Sequence, residues 1–138
     1  MNERDKPIGP ERSPFEAMGH DAAVSLARRF YDHMDDHEPA LVATHPTDAT
    51  GTKVAASVRE RFASFLVQWL GGPDDYSKAH GHPRLRMRHA NVPIDSAMRD
   101  AWLRCMNAAL DDPSVPQDVR LYLRDRFAEV ANFLRNRT

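Results

Sequence analysis

The residues best placed to do chemistry lie in one stretch, "HPRLRMRHANVPI", from His82 to Ile94, where Arg84, Arg86 and Arg88 stand between two histidines. A neutral imidazole ligates transition metals, haem iron included, and guanidinium groups pair with carboxylates. His89 follows Leu85 by four and Met87 by two. A short helical turn over 85–90 would aim its ring inward and leave the arginines on a rim. The competing reading is an ordinary charged loop in which every one of these side chains is solvated. Taken alone, the segment favours that loop.

Other chemistries find little support. Gly71-Gly72 is not followed by GK[ST], no GxGxxG follows a strand, and HExxH is absent, so phosphate loops and zinc-protease sites are excluded. His80-Gly81-His82 lacks a Cys or carboxylate spaced to complete a four-ligand site. His20, His33 and His37 sit among charged residues and read as solvated. Ser25, Ser57, Ser64 and Ser96 lack a nucleophile motif. The lone Cys105 cannot form an internal disulfide and reads as a small buried apolar residue.

The elements that must position His89 follow from where proline is missing. The 138 residues suit one domain with one core. Ten prolines leave free stretches over 15–38, 47–72, 94–112 and 117–138, each long enough for a helix. Ala23, Ala27, Phe30, Tyr31 and Met34 share a face in the first. Val54, Val58, Phe62, Phe65, Leu66 and Trp69 do so in the second, which ends at "GGP". The third carries Met98, Ala101, Trp102, Cys105 and Ala109 behind a cap at Asp95 or Ser96. The fourth repeats the pattern with Val119, Leu123, Phe127, Val130 and Leu134 after Pro116. No stretch alternates in strand fashion, so the fold class is all-α. Residues 1–14, charged and proline-rich, are expected to form a flexible tail, with the domain over 15–138. A net charge of −1 gives no bulk attraction to nucleic acid, and no run reaches the roughly 20 apolar residues of a membrane span. The expected location is the cytoplasm.

From Phe15 to Leu134 the chain resembles the truncated haemoglobins, and among them the second group, marked by a distal-pocket tryptophan. The resemblance rests on "RRFYDHM" from Arg28, "FLVQWLGGPDDYS" from Phe65, "HGHPRLRMRHANVPI" from His80 and "RDAWLRCM" from Arg99. It implies a globin-like two-on-two helical sandwich around haem b (iron protoporphyrin IX). The proximal histidine matches His89, and the Leu85 carbonyl one turn earlier is expected to hold its other ring nitrogen. The distal tyrosine matches Tyr31, preceded by Phe30, and the group-marking tryptophan matches Trp102. The distal gate position falls on Val58 and the next inward position on Phe62, with Phe65 and Leu66 lining the pocket farther in. Arg61, Tyr76 and Arg88 match positions that hold the propionates. Without the resemblance, Tyr31 and Trp102 read as core aromatics.

Two positions depart from the family. Where a tyrosine or phenylalanine is usual after the short third helix, this chain has His45, with a one-residue ambiguity in register. It offers a third polar group over the iron, a sixth ligand, or a loop histidine facing solvent. The glycine pair near the first helix is Gly19-His20. Tyr31, Trp102 and His45 are therefore the candidate reactive groups. The ligands implied are O2, NO, CO or peroxide, and two donors in an apolar shell imply slow oxygen release. Such a pocket suits NO dioxygenase or peroxidase-like turnover, which would need an external electron donor. Gas storage or sensing without turnover is the alternative. The chain would act as a monomer or homodimer.

Overall fold

The computed structural model describes residues 6–137. Among the described residues eight helices run in the order α1 (Pro14–Met18), α2 (His20–His37), α3 (Pro39–Val42), α4 (Ala56–Trp69), α5 (Asp75–His80), α6 (Leu85–Arg88), α7 (Ser96–Leu110) and α8 (Gln117–Leu134). Among the described residues there is no strand, only isolated bridges at Gly9–Arg12 and Thr47–Val54. The fold is the all-α, two-on-two architecture. α2 lies across α4 and α7, and α7 packs on α8.

The long helices form where one apolar face repeats each turn. In α2, Ala23, Leu26, Ala27, Phe30, Tyr31 and Met34 are all buried. In α7, Asp95 caps the first turn by accepting from the Met98 N–H at 2.9 Å, and Ala101, Cys105, Met106, Ala109 and Leu110 enter the core. In α8 the buried face is Val119, Leu123, Phe127 and Ala131. Val130 and Leu134 of the expected stripe are only half-buried. Pro116 stands at the N-cap, just outside the first turn.

The α4 stripe behaves differently. Leu66 is fully buried, yet Val58, Phe62, Phe65 and Trp69 are only half-covered by protein. A helical apolar face that the chain does not cover borders a cavity or solvent. α4 ends at Gly71, whose φ of +106° favours glycine, and a Cβ there would lie 2.5 Å from that of Ser13. Beside it the Phe15 N–H donates to Leu70 O at 2.9 Å, so α1 is laid onto the end of α4.

The expected tail over 1–14 falls in two parts. Residues 1–5 lie outside the described residues. Beyond them Ile8 packs on the core, Arg12 pairs with Asp118 at 3.0 Å, and Ser13 caps α1, whose first residue is Pro14. The proline-free stretch over 15–38 holds two helices, because Gly19 at φ +86° ends α1 and turns the chain into α2.

Candidate functional site

A cavity of about 550 Å³ lies between α4, α7 and the segment that follows α6. That is within the usual range for a bound cofactor, roughly 300–1,000 Å³. α4 contributes Ser57, Val58 and Arg61; α7 contributes Met98, Arg99 and Trp102. His89, Val92 and Ile94 supply another wall, with Arg88 beside them, while Leu41, Thr44 and His45 close it from the end of α3. Ala131 and Leu134 of α8 complete the lining.

His89 caps the four-residue α6, and its Nδ1 lies 2.7 Å from the Leu85 carbonyl one turn back. A carbonyl oxygen only accepts, so Nδ1 carries the proton and Nε2 keeps its lone pair. That is the arrangement of a metal-binding imidazole. The segment after it is clamped by Asn136, whose Nδ2 donates to His89 O at 3.2 Å and Val92 O at 3.0 Å, while its Oδ1 accepts from the Ile94 N–H at 2.8 Å.

His45 lines the same cavity with its Nδ1 2.9 Å from Leu41 O, and its ring lies edge-to-face against Tyr31 at 5.9 Å. Burial pushes the His45 pKa down, opposed by the Leu41 carbonyl and reinforced by the His89 ring, so the neutral form is favoured. Tyr31 is buried in a cage of rings, with Phe30 at 5.0 Å and Phe62 at 5.4 Å. Burial raises its pKa, Arg59 partly offsets this and Asp35 adds to it, so the phenol stays protonated and able to donate. Arg59 is itself fixed by Asp35 at 2.6 Å and by Asp32. Its guanidinium carbon lies 5.5 Å from the Tyr31 ring centre.

The sequence-predicted residues are thus gathered unevenly. His45, Val58, Arg61, Arg88, His89 and Trp102 line the cavity. Phe30 and Phe62 stand behind it, in ring contact with Tyr31. Leu66 is in the core. Phe65 and Leu85 border a second, more open hollow, and Tyr76 is buried against Phe65 and His80. His82 is exposed, with Nδ1 accepting from the Arg84 N–H. Cys105 is fully buried with its thiol pushed up to about 12 by desolvation, which suits packing and not nucleophilic attack. Sequence reasoning missed Asn136 and Arg99. Arg99 lies one turn from Trp102 on α7, a spacing that would have found it, whereas nothing near Asn136 in the sequence signals its role.

Comparison with known proteins agrees with this architecture. The bacterial-like globin family matches residues 13–136. The group 2 truncated hemoglobin YjbI of Bacillus subtilis (strain 168) is 36% identical over 126 residues, covering 91% of this chain and 90% of the relative. The chain belongs to the group II truncated haemoglobins. Among solved structures, the cold-adapted truncated hemoglobin of the Antarctic marine bacterium Pseudoalteromonas haloplanktis TAC125 superposes with a TM-score of 0.82 at 37% identity, covering 92% of this chain and all of that one. The truncated oxygen-avid haemoglobin from Bacillus subtilis gives a TM-score of 0.78 at 34% identity, covering 91% of this chain and 100% of that one.

For this truncated haemoglobin the cofactor is haem b, and its function is haem-based oxygen binding. The cavity fits that group on its own features. It has apolar walls in Val58, Val92, Ile94, Met98 and Trp102, two imidazoles tethered through Nδ1 at His45 and His89, and exposed guanidiniums at Arg61 and Arg88. No helix of the described residues is long and apolar enough to cross a membrane.

Proposed function

We propose that this truncated haemoglobin holds haem b through His89 and retains oxygen tightly for redox chemistry on O2, NO or peroxide. When bound, haem supplies a redox-active iron that takes small diatomic ligands. The Leu85 carbonyl fixes the His89 tautomer and ring plane, while Arg61 and Arg88 pair with the two carboxylates of the cofactor. Tyr76, buried away from the cavity, is the weakest of the expected propionate contacts.

The observation that carries the reading is a pair of uncommitted donors, the Trp102 indole in the cavity wall and the Tyr31 phenol among the rings packed against His45. The Tyr31 hydroxyl and the Trp102 indole N–H make no hydrogen bond among the described residues; Trp102 lines the cavity, and Tyr31 lies buried against His45, which lines it too. A donor left free at a cavity stabilises partial negative charge on a small ligand, and the stabilisation grows where water is excluded. Val58 and Phe62 cannot donate, so Tyr31 and Trp102 are the groups that discriminate. Slow release favours reaction of the gas over its delivery, and the oxygen avidity named for the Bacillus subtilis protein accords with this. Electrons for repeated turnover come from an outside donor.

Stopped-flow measurement of oxygen release from the haem-loaded chain tests the reading. Trp102→Phe should release oxygen about 10-fold faster, as expected for one lost hydrogen bond. An unchanged rate would remove the indole from the ligand's surroundings. Fast release by the wild type, without consumption of NO or peroxide, would replace redox chemistry with storage or sensing.

A further inference from the structure

We propose that His45 is a second axial ligand for the haem iron, so that the ligand-free protein is closed by one histidine from each of two cavity walls. The inference rests on the haem site read above. Both rings line the same cavity, His45 from the end of α3 and His89 from the end of α6. Both are tethered alike, with Nδ1 at 2.9 Å from Leu41 O in one case and 2.7 Å from Leu85 O in the other, each the carbonyl four residues back.

The tether decides what His45 can offer. Because the Leu41 oxygen only accepts, the ring proton is on Nδ1 and the free Nε2 carries a lone pair. Thr44 is consistent with this tautomer. Its hydroxyl proton is given to Leu41 O at 2.7 Å, which leaves the Thr44 oxygen to accept from His45 Nδ1 at 3.2 Å. His45 is therefore not a third donor beside Tyr31 and Trp102. It is a ligand or an acceptor, and its anchored second nitrogen is the common arrangement of a metal-binding imidazole.

Its place in the fold suits reversible ligation. Leu41 and Val42 bury the short α3, and His45 lies just beyond the helix, between it and Pro46, so its ring is carried by the loop and not by a core helix. The Tyr31 ring supports one edge of it. An incoming gas must displace His45, so its apparent affinity falls by the fraction of molecules that are open.

The test loads the full chain with haemin and records ferric and ferrous absorption and low-temperature electron paramagnetic resonance. The wild type should be mainly low-spin with both axial positions filled by imidazole. His45→Ala and the bulkier His45→Leu should turn high-spin, with helicity unchanged by circular dichroism, and added imidazole should restore the low-spin signal to His45→Ala. Carbon monoxide association in the ferrous wild type should level off with concentration at the rate of His45 release, whereas in His45→Ala it should keep rising in proportion to concentration; at low concentration His45→Ala should bind about 10-fold faster if roughly one wild-type molecule in ten is open. A wild type that is high-spin and unaltered in His45→Ala overturns the proposal. So does a low-spin signal that survives His45→Ala and His45→Leu but vanishes in Tyr31→Phe. Failure of the wild type to give a Soret band overturns the haem site itself and this inference with it, whereas a high-spin haem still ligated by His89 overturns the inference alone.

Discussion

The wall that carries Trp102, with Tyr31 in the rings behind it, and the wall that carries His89 are built in opposite ways. The first is an outcrop of the core. Phe30, 1% exposed, touches the rings of Tyr31, Phe62 and Trp102 at 5.0–5.2 Å, and Leu26, Met34, Leu66 and Met106 are sealed behind it. The second has almost no core of its own. α6 contains no buried residue, Met87 is 60% exposed, and Arg84 takes a left-handed φ of +47° to begin the turn. What holds it is polar: the Leu85 carbonyl on the His89 ring and the Asn136 clamp on the backbone. Folding by itself therefore shapes the wall proposed to face the ligand, while the wall with His89, the proposed iron ligand, depends on local hydrogen bonds. Segments with few buried contacts are the ones that open first.

The strongest way to break this contrast is a pair of truncations. Phe30→Ala should lower the stability of the cofactor-free chain by about 3–5 kcal/mol, the range for an aromatic removed from a packed core. His89→Ala should cost it less than about 1.5 kcal/mol, one modest hydrogen bond, and yet abolish most haem retention. Urea unfolding of both apoproteins, with haem transfer to an acceptor globin, reads the two effects separately. Equal destabilisation by the two variants would mean that α6 belongs to the core after all. Next in size is Asn136→Ala, which leaves His89 O, Val92 O and the Ile94 N–H without their partner. It should cost about 1–2 kcal/mol and speed amide hydrogen exchange over 89–94 while leaving α2 unchanged. Acceleration spread evenly across the chain would contradict a local clamp.

The same contrast explains what could be read from the sequence. The core-built wall repeats every turn, so the buried faces of α2, α7 and α8 and the glycine-ended α4 were legible from spacing and terminators alone. The wall that carries His89 repeats nothing. His89 stood out through its neighbours' resemblance to a family, and without that its segment read as a charged loop. Asn136 was invisible because a clamp made of one amide and three backbone groups, 42 to 47 residues apart, leaves no periodic trace. His45 was seen as a polar departure, but the direction in which its lone pair points depends on Leu41 O and Thr44, which only coordinates reveal. The half-covered stripe of α4 shows the reverse failure. Periodicity puts Val58, Phe62, Phe65 and Trp69 on one apolar face but cannot tell a face packed on protein from one left facing a cavity, and only the resemblance gave Val58, Phe62 and Phe65 pocket positions.

One piece of the ligand-facing side is not core-built, and it yields the smallest predicted effect. α3, which holds the Leu41 tether of His45, is tied to α7 at its N-cap by Glu38, whose carboxylate accepts from Arg104 Nε at 2.8 Å and Nη2 at 3.1 Å. That hydrogen-bonded guanidinium holds the Glu38 carboxyl below its usual pKa. With the folded pKa below the unfolded one, the pair's contribution is full above the ordinary carboxylate range and is lost as pH falls through the folded value. Because the Arg104 side of the pair is exposed to solvent, Glu38→Gln should destabilise the chain less at neutral pH than any of the variants above. The gap between variant and wild type should close in acid and shrink in high salt. Exchange should quicken over 39–45 while the amides of α2 and α7 keep their protection. If those helices loosened equally, α3 would be an integral part of the core wall, and His45 would lack the freedom to leave and return.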